Sequence, residues 1–176
     1  MDQFVVFDKN TKVSGESIFP VVTALETGKK DRLRILLKNG IDPKPFRWFN
    51  MQHLLNVFKE IYESAGEETL FSIGKAMPDY AKFPPILDLE MALAQLNHAY
   101  QMNHICGEAG CWKLIEFDKK NKKAIVECHS PYPAELVRGV LASLLKKFKP
   151  KNSYHDQVIL CKQIYGDEYY TFMLMW

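Results

Sequence analysis

The sequence predicts an α+β fold: a mainly helical half over residues 1–105, then an antiparallel β-β-α-β-β half over residues 106–176 of a single domain. Three observations carry this. Apolar residues recur at three- and four-residue steps up to about residue 105, the helical period. Beyond it, runs rich in β-branched and aromatic residues flank short polar turns, the mark of hairpins. One further amphipathic stretch, residues 134–148, separates the two pairs of such runs. Helices followed by strands on either side of a helix make an α+β domain, and 176 residues suit one core.

In order along the chain, Ser14-Gly15-Glu16-Ser17 offers N-cap side chains for a segment reaching about Glu26. The next helix, Asp31 to Lys38, stops at Asn39-Gly40, where glycine is free to take positive φ. After the Pro43/Pro45 loop, Phe46 to Ser64 carries Leu54, Leu55, Phe58, Ile61 and Tyr62 at helical spacing. Gly66 separates it from a shorter helix, Glu67 to Met77, closed by Pro78. Pro84-Pro85 opens the strongest helix, Ile86 to about His104. Its stripe of Ile86, Leu89, Leu93, Leu96, Tyr100 and His104 points inward, and His98 lies off it. Residues 112–117 and 123–128 flank Asp118 to Lys122 as a hairpin. Ala134 to Phe148 is a helix burying Val137, Val140, Leu141, Leu144, Leu145 and Phe148. Strands over about 157–163 and 169–175 follow, joined by the turn signal Tyr165-Gly166-Asp167.

Composition narrows the function classes. A formal charge of +2, with short basic runs such as residues 29–34 and 146–151, reads as solvated surface, so no nucleic-acid partner is expected. No apolar run approaches the roughly 18 residues of a membrane span. The opening MDQFVVFDKNTK lacks a leader pattern, and four irregularly spaced cysteines do not form a disulfide framework. A cytoplasmic protein with reduced thiols is expected. Aromatics, 12% of residues, suit a ligand cavity as well as a plain core.

Ligand-type side chains crowd one stretch, LNHAYQMNHICGEAGCW, over residues 96–112. His104, Cys106, Cys111 and the later Cys128 are of the right types for tetrahedral zinc, although the spacing is not that of a zinc knuckle. Cys106 and Cys111 also bracket what reads as a helix-to-strand turn. Enzyme chemistry finds no support in a nucleophile elbow, a phosphate loop or a zinc-protease motif. Cys128 and His129 are neighbours on a strand and point to opposite faces, which keeps them from sharing a proton. A non-enzyme is expected.

The succession Leu96-Asn97-His98-Ala99-Tyr100, a hairpin, Cys128-His129-Ser130-Pro131-Tyr132, a helix with Gly139 and two closing strands resembles the haem nitric-oxide/oxygen-binding family, the H-NOX or HNOB domains. It also resembles the vinyl-reductase-like small-molecule-binding domains. Their cysteine strand, glycine turn and aromatic strand are similar to residues 161–167 and Tyr170-Thr171-Phe172. In the haem family a Leu-Asp-x-Leu-His helix supplies the iron ligand, and a Tyr-x-Ser-x-Arg strand holds the propionates. On this resemblance the ligand position falls on Tyr100, with His104 one turn on. With Ser130 in the serine's place, the tyrosine and arginine positions fall on Cys128 and Tyr132, so the propionate clamp is missing.

The resemblance implies a sensor or ligand-binding domain with no assigned cofactor. Its pocket for a small, mostly apolar ligand would be lined by Leu93, Leu96, Tyr100, His104, Phe58 and Tyr62. Ser130 and Tyr132 would stand at its mouth. The chain stops after its last strand, so output is expected in trans, through a homodimer or a signalling partner. Haem held by Tyr100 and His104 is the alternative cofactor. The rival reading is a ligand-free dimeric scaffold using Trp48, Phe49 and Phe83 as its interface, as the related vesicle-tethering subunits use dimer surfaces.

Overall fold

The computed structural model describes residues 4–44, 46–164 and 169–176. The predicted turn at 165–167 and Pro45 lie outside the described residues.

Among the described residues the first half contains six α-helices. A single 3-10 turn at Gly15–Ile18 precedes α1 (Pro20–Thr23), and the Ser14 hydroxyl accepts the Glu16 N–H at 3.3 Å to start it. The helix predicted to run to Glu26 ends early, at Thr23, and Arg32 takes carbonyls both within it and after it. Its guanidinium donates to Val21 O at 2.6 Å, to Thr27 O at 2.7 Å and to Leu25 O. Within the basic run read as solvated surface, Arg32 is thus buried, at 4% exposure. The rest of α2 (Lys29–Lys38) is mostly exposed, and Gly40 at φ 75° closes the helix as expected.

Phe46 does not begin the next helix. Asn50 caps it instead, accepting the Gln52 N–H at 2.8 Å, and α3 runs from Met51 to Ala65. α4 (Glu67–Ala76) follows. The long helix expected over 86–104 is two short ones, α5 (Leu89–Ala94) and α6 (Leu96–Met102). Asp88 captures the Met91 N–H at 2.8 Å, which fixes the start at Leu89 rather than Ile86. Gln95, at φ −90° and ψ 2°, breaks the axis without any proline or glycine to announce it.

His104 is not helical. It opens β3 (His104–Ile105), which pairs with β1 (Lys12–Ser14), and β1 pairs in turn with β2 (Trp48–Asn50). This three-stranded sheet, ordered β2-β1-β3, ties the N-terminus to the end of α6 and sets Val13 opposite both Phe49 and His104.

The second half follows the sequence closely. β4 (Cys111–Asp118) and β5 (Lys123–His129) form a hairpin, and β6 (Gln157–Ile164) pairs with β7 (Tyr169–Met175). The antiparallel order is β4-β5-β7-β6. Alternation buries Ala124, Val126 and Cys128 from β5, with Tyr170, Phe172 and Leu174 from β7. α7 (Ala134–Phe148) crosses α4 at two glycines. A methyl at Gly139 would stand 2.2 Å from Phe71 O, and one at Gly74 would stand 2.0 Å from Leu136 O. Only glycine permits that approach. One contiguous buried cluster joins both halves, from Val13 and Leu54 to Leu145 and Leu174.

Candidate functional site

Between the helical half and the β4–α7 unit lies a cavity of about 80 Å³. α6 contributes Leu96, Ala99, Tyr100 and, at its end, Asn103 to the wall, and α7 contributes Leu136, Val137 and Val140. The segment after α4 closes it with Met77, Pro78, Ala81 and Phe83. Trp112 of β4 and Tyr132, just before α7, complete the aromatic side. Among the described residues the wall holds no Lys, Arg, Asp or Glu.

A closed polar network stands at the aromatic end. His104 Nδ1 lies 2.7 Å from the Tyr100 carbonyl oxygen. A carbonyl only accepts, so Nδ1 carries the proton and Nε2 accepts the Tyr132 hydroxyl at 2.8 Å. The Tyr100 hydroxyl donates to Ala109 O at 2.6 Å and meets Ser130 Oγ at 3.4 Å. Ser130 Oγ in turn accepts the Tyr132 N–H at 3.3 Å. Burial lowers the His104 pKa to about 4, which keeps the ring neutral, and it raises both the Tyr100 and Tyr132 hydroxyls. Burial likewise raises the Cys128 thiol well above its usual range.

Asn103 is the second polar hub. Its Nδ2 donates to Lys82 O and Ala99 O, both at 2.8 Å, while Oδ1 accepts Lys82 N–H at 3.0 Å and the Ser17 hydroxyl at 3.2 Å. The bonds to Lys82 anchor the segment that closes the cavity to the end of α6.

Of the residues expected in the pocket, Tyr100, His104, Leu96 and Tyr132 line the cavity. Leu93 is fully buried in the core and outside the wall. Phe58 stands behind Tyr132, edge to face at 5.9 Å between ring centroids. Ser130 reaches Tyr100 without facing the cavity. Tyr62 is placed elsewhere: it is 41% exposed, its hydroxyl 3.4 Å from Glu67, because the buried stripe of α3 ends at Ile61. Trp112, Asn103 and Ser17 join the wall, although no spacing in the sequence marks them.

The zinc set is not assembled. Cys106 is exposed, Cys128 is buried and both His104 nitrogens are engaged. No group of three or more His, Cys, Asp or Glu among the described residues can hold a metal ion. Cys128 and His129 do face opposite ways, with the His129 ring stacked between Phe7 and Tyr169. In the expected scaffold surface, Trp48 lies at 36% exposure under the Lys82 ammonium, whereas Phe49 and Phe83 pack against the core. No described helix is long and apolar enough to cross a membrane.

This arrangement of a helical half, a four-stranded antiparallel sheet and one crossing helix is the H-NOX fold, in a divergent version. Among solved structures the chain is similar to an oxygen-binding H-NOX domain related to soluble guanylate cyclases, in its oxygen complex. The TM-score is 0.62 at 16% identity, over 92% of each chain. It is similar too to the Fe(II) unliganded H-NOX protein of K. algicida, with TM-score 0.65 at 10% identity over 92% of this chain and 95% of that one. A third likeness is to a structure described for modulation of haem redox potential through porphyrin distortion, with TM-score 0.64 at 14% identity, over 93% and 99% of the two chains. No protein-family model matches the sequence. No curated protein matches it either.

The residues of the cavity do not fit a haem. A space of about 80 Å³ is roughly half the ~150 Å³ that accommodates benzene, far from room for a porphyrin. Tyr100 is held as a phenol donating to Ala109 O, and burial opposes the phenolate that iron would need. His104 has no free nitrogen. The neutral wall offers no cation to a propionate.

Proposed function

We propose that this protein is a ligand-binding sensor domain that takes a small, mostly apolar molecule between its helical and sheet halves and signals in trans to a partner protein or a second copy. The observation that carries the reading is the cavity itself, apolar over most of its wall and built from α6, α7 and the 77–83 segment. Pockets lined mostly by apolar side chains, with a few directed polar groups, are the usual sites for small apolar guests. Haem, the group named for two of the similar solved structures, is the less favoured occupant, because the candidate ligands Tyr100 and His104 are bonded to the protein. A scaffold built on exposed aromatics is also less favoured, since Phe49 and Phe83 pack against the core.

The route out of the cavity is α6. It contributes to the wall, breaks from α5 at Gln95, and is tied through Asn103 to Lys82 and Ser17. A guest that presses on Leu96 and Ala99 shifts that element against β4, and a partner reads the altered surface. Dissolved xenon tests the binding step through the methyl signals of Leu96, Val137 and Val140. Saturable shifts at these methyls, absent at those of distant Leu174, are expected, with slowed amide exchange in α6. Unchanged methyl signals up to high xenon pressure would sink the proposal.

A further inference from the structure

The two faces of the four-stranded sheet differ. Alternation sends Ala124, Val126 and Cys128 of β5, with Tyr170, Phe172 and Leu174 of β7, toward α7 and the core. The other face is exposed or half-buried along all four strands. Register sets its side chains in rows across the sheet. One row runs Glu116–Ile125–Met173–Ile159, with Ile115 beside Glu116 at the β4 bulge. Ile115 is 53% exposed and Ile159 40%, so the row is an apolar band open at both edges. A sheet face turned to water usually carries polar residues instead. Charged rows flank the band, Lys113–Glu127–Thr171–Lys162 on one side and Asp118–Lys123–Met175–Gln157 on the other. Beyond the first of these, Phe7 is stacked on the His129 ring and bounds the free face.

The flanking rows are complementary to each other about the band. A two-fold axis lying in the face, along the band, turns each row onto the opposite row of a second copy. Lys113 then meets Asp118 of that copy, Glu127 meets its Lys123, and the apolar band meets itself. An axis along the strands would instead set Lys113 against Lys162. Resting on the sensor reading above, we infer that the partner in trans is a second copy of this chain, docked sheet to sheet about the first axis. Each ion pair forms twice, as an isologous interface requires. Glu116 lies near its own copy, and Lys123 of the same chain neutralises it at 3.1 Å. Aligned packing of two sheets at about −30° keeps each strand over its own copy. With strands ~4.8 Å apart and ~3.3 Å per residue, the face measures roughly 19 by 23 Å, small for a specific interface, so the dimer is weak and concentration-dependent. α6 packs against β4, so a shift of α6 reaches the interface through a single strand.

Sedimentation velocity of the full-length protein at low salt, over a concentration series, reads this without any ligand. The wild type is expected to pass from monomer to dimer as concentration rises. Glu127→Lys and Lys123→Glu each set like charges together at two symmetry-related places, and each alone should weaken the dimer about a hundredfold. Mixed in equal amounts, the two variants should pair with each other at close to wild-type strength, since both of these contacts then join opposite charges. Ile159→Lys, at an exposed place in the band, should weaken the dimer independently. Circular dichroism and urea midpoints like those of the wild type establish that the variants are folded. A wild type that stays monomeric throughout, folded variants that dimerise like the wild type, or a mixture that stays monomeric would overturn the inference. If the dimer behaves as described but xenon leaves the cavity methyls unmoved, the ligand reading falls and the interface stands. If xenon binds a protein that stays monomeric, the reverse holds.

Discussion

His104 ties the stability of the fold to pH in a direction the structure fixes. The ring is buried with Nδ1 on the Tyr100 carbonyl and Nε2 on the Tyr132 hydroxyl, and burial holds its pKa at about 4 against 6.5 for a free imidazole. Between those values the unfolded chain binds a proton that the folded chain does not. Stability therefore falls as pH drops through this window, is fully present above 6.5, and changes no further from this group below 4. Each tenfold difference in proton affinity between the folded and unfolded chain is worth about 1.4 kcal/mol, so the loss is about 2 kcal/mol by pH 5 and about 3 kcal/mol by pH 4. That is a large fraction of the roughly 5–15 kcal/mol typical of a domain. Urea unfolding of the wild type and of His104→Gln, measured at steps from about pH 7.5 to 4, isolates the effect. Carboxylates such as Glu16, whose pKa the Ser14 hydroxyl lowers, contribute alike to both proteins and cancel in the difference. The wild type should lose about 3 kcal/mol more than the variant over that range. Equal slopes would refute the neutral, doubly bonded histidine.

Other substitutions probe the frame around the cavity. Gly139→Ala replaces a poor helix former with the best one. It should nonetheless destabilise by about 1–3 kcal/mol in urea unfolding, because the new methyl meets Phe71 O at the α4–α7 crossing. Asn103→Ala leaves Lys82 N–H and O and the Ala99 carbonyl without their partner. A loss of about 2 kcal/mol, with faster amide exchange at Lys82, is expected, and unchanged exchange there would contradict the anchoring role. Arg32→Lys retains the charge but not the fork that reaches three carbonyls. Roughly 2 kcal/mol should be lost in thermal or urea unfolding, as for a buried donor set broken in part.

The second half is legible in the sequence because its signals are local. α7 has an unbroken helical stripe from Ala134 to Phe148, and β5 and β7 alternate between the two faces, so each boundary falls within a residue or so of its expected place. The small sheet is not legible. Strands of two or three residues have no period of their own, and Val13, Phe49 and His104 meet only because segments far apart in sequence converge. The same convergence carries His104 out of the helix that its four-residue step from Tyr100 suggests. The break at Gln95 is hidden because the apolar stripe continues across it. Within the site, periodicity finds Leu96 and Tyr100 but overruns the edge of α3 at Tyr62. It has no means of finding Asn103 or Trp112, whose places at the cavity are set by contacts made in three dimensions.

The residues around this cavity of an H-NOX fold suit a small neutral guest and not a porphyrin. Titration of the purified protein with hemin, followed by visible absorption and native mass spectrometry, addresses it most directly. The expected spectrum stays that of free hemin, with no one-to-one adduct, while xenon still shifts the methyls of Leu96, Val137 and Val140. A stoichiometric haem adduct with a shifted Soret band, abolished in Tyr100→Phe or His104→Gln, would contradict the claim.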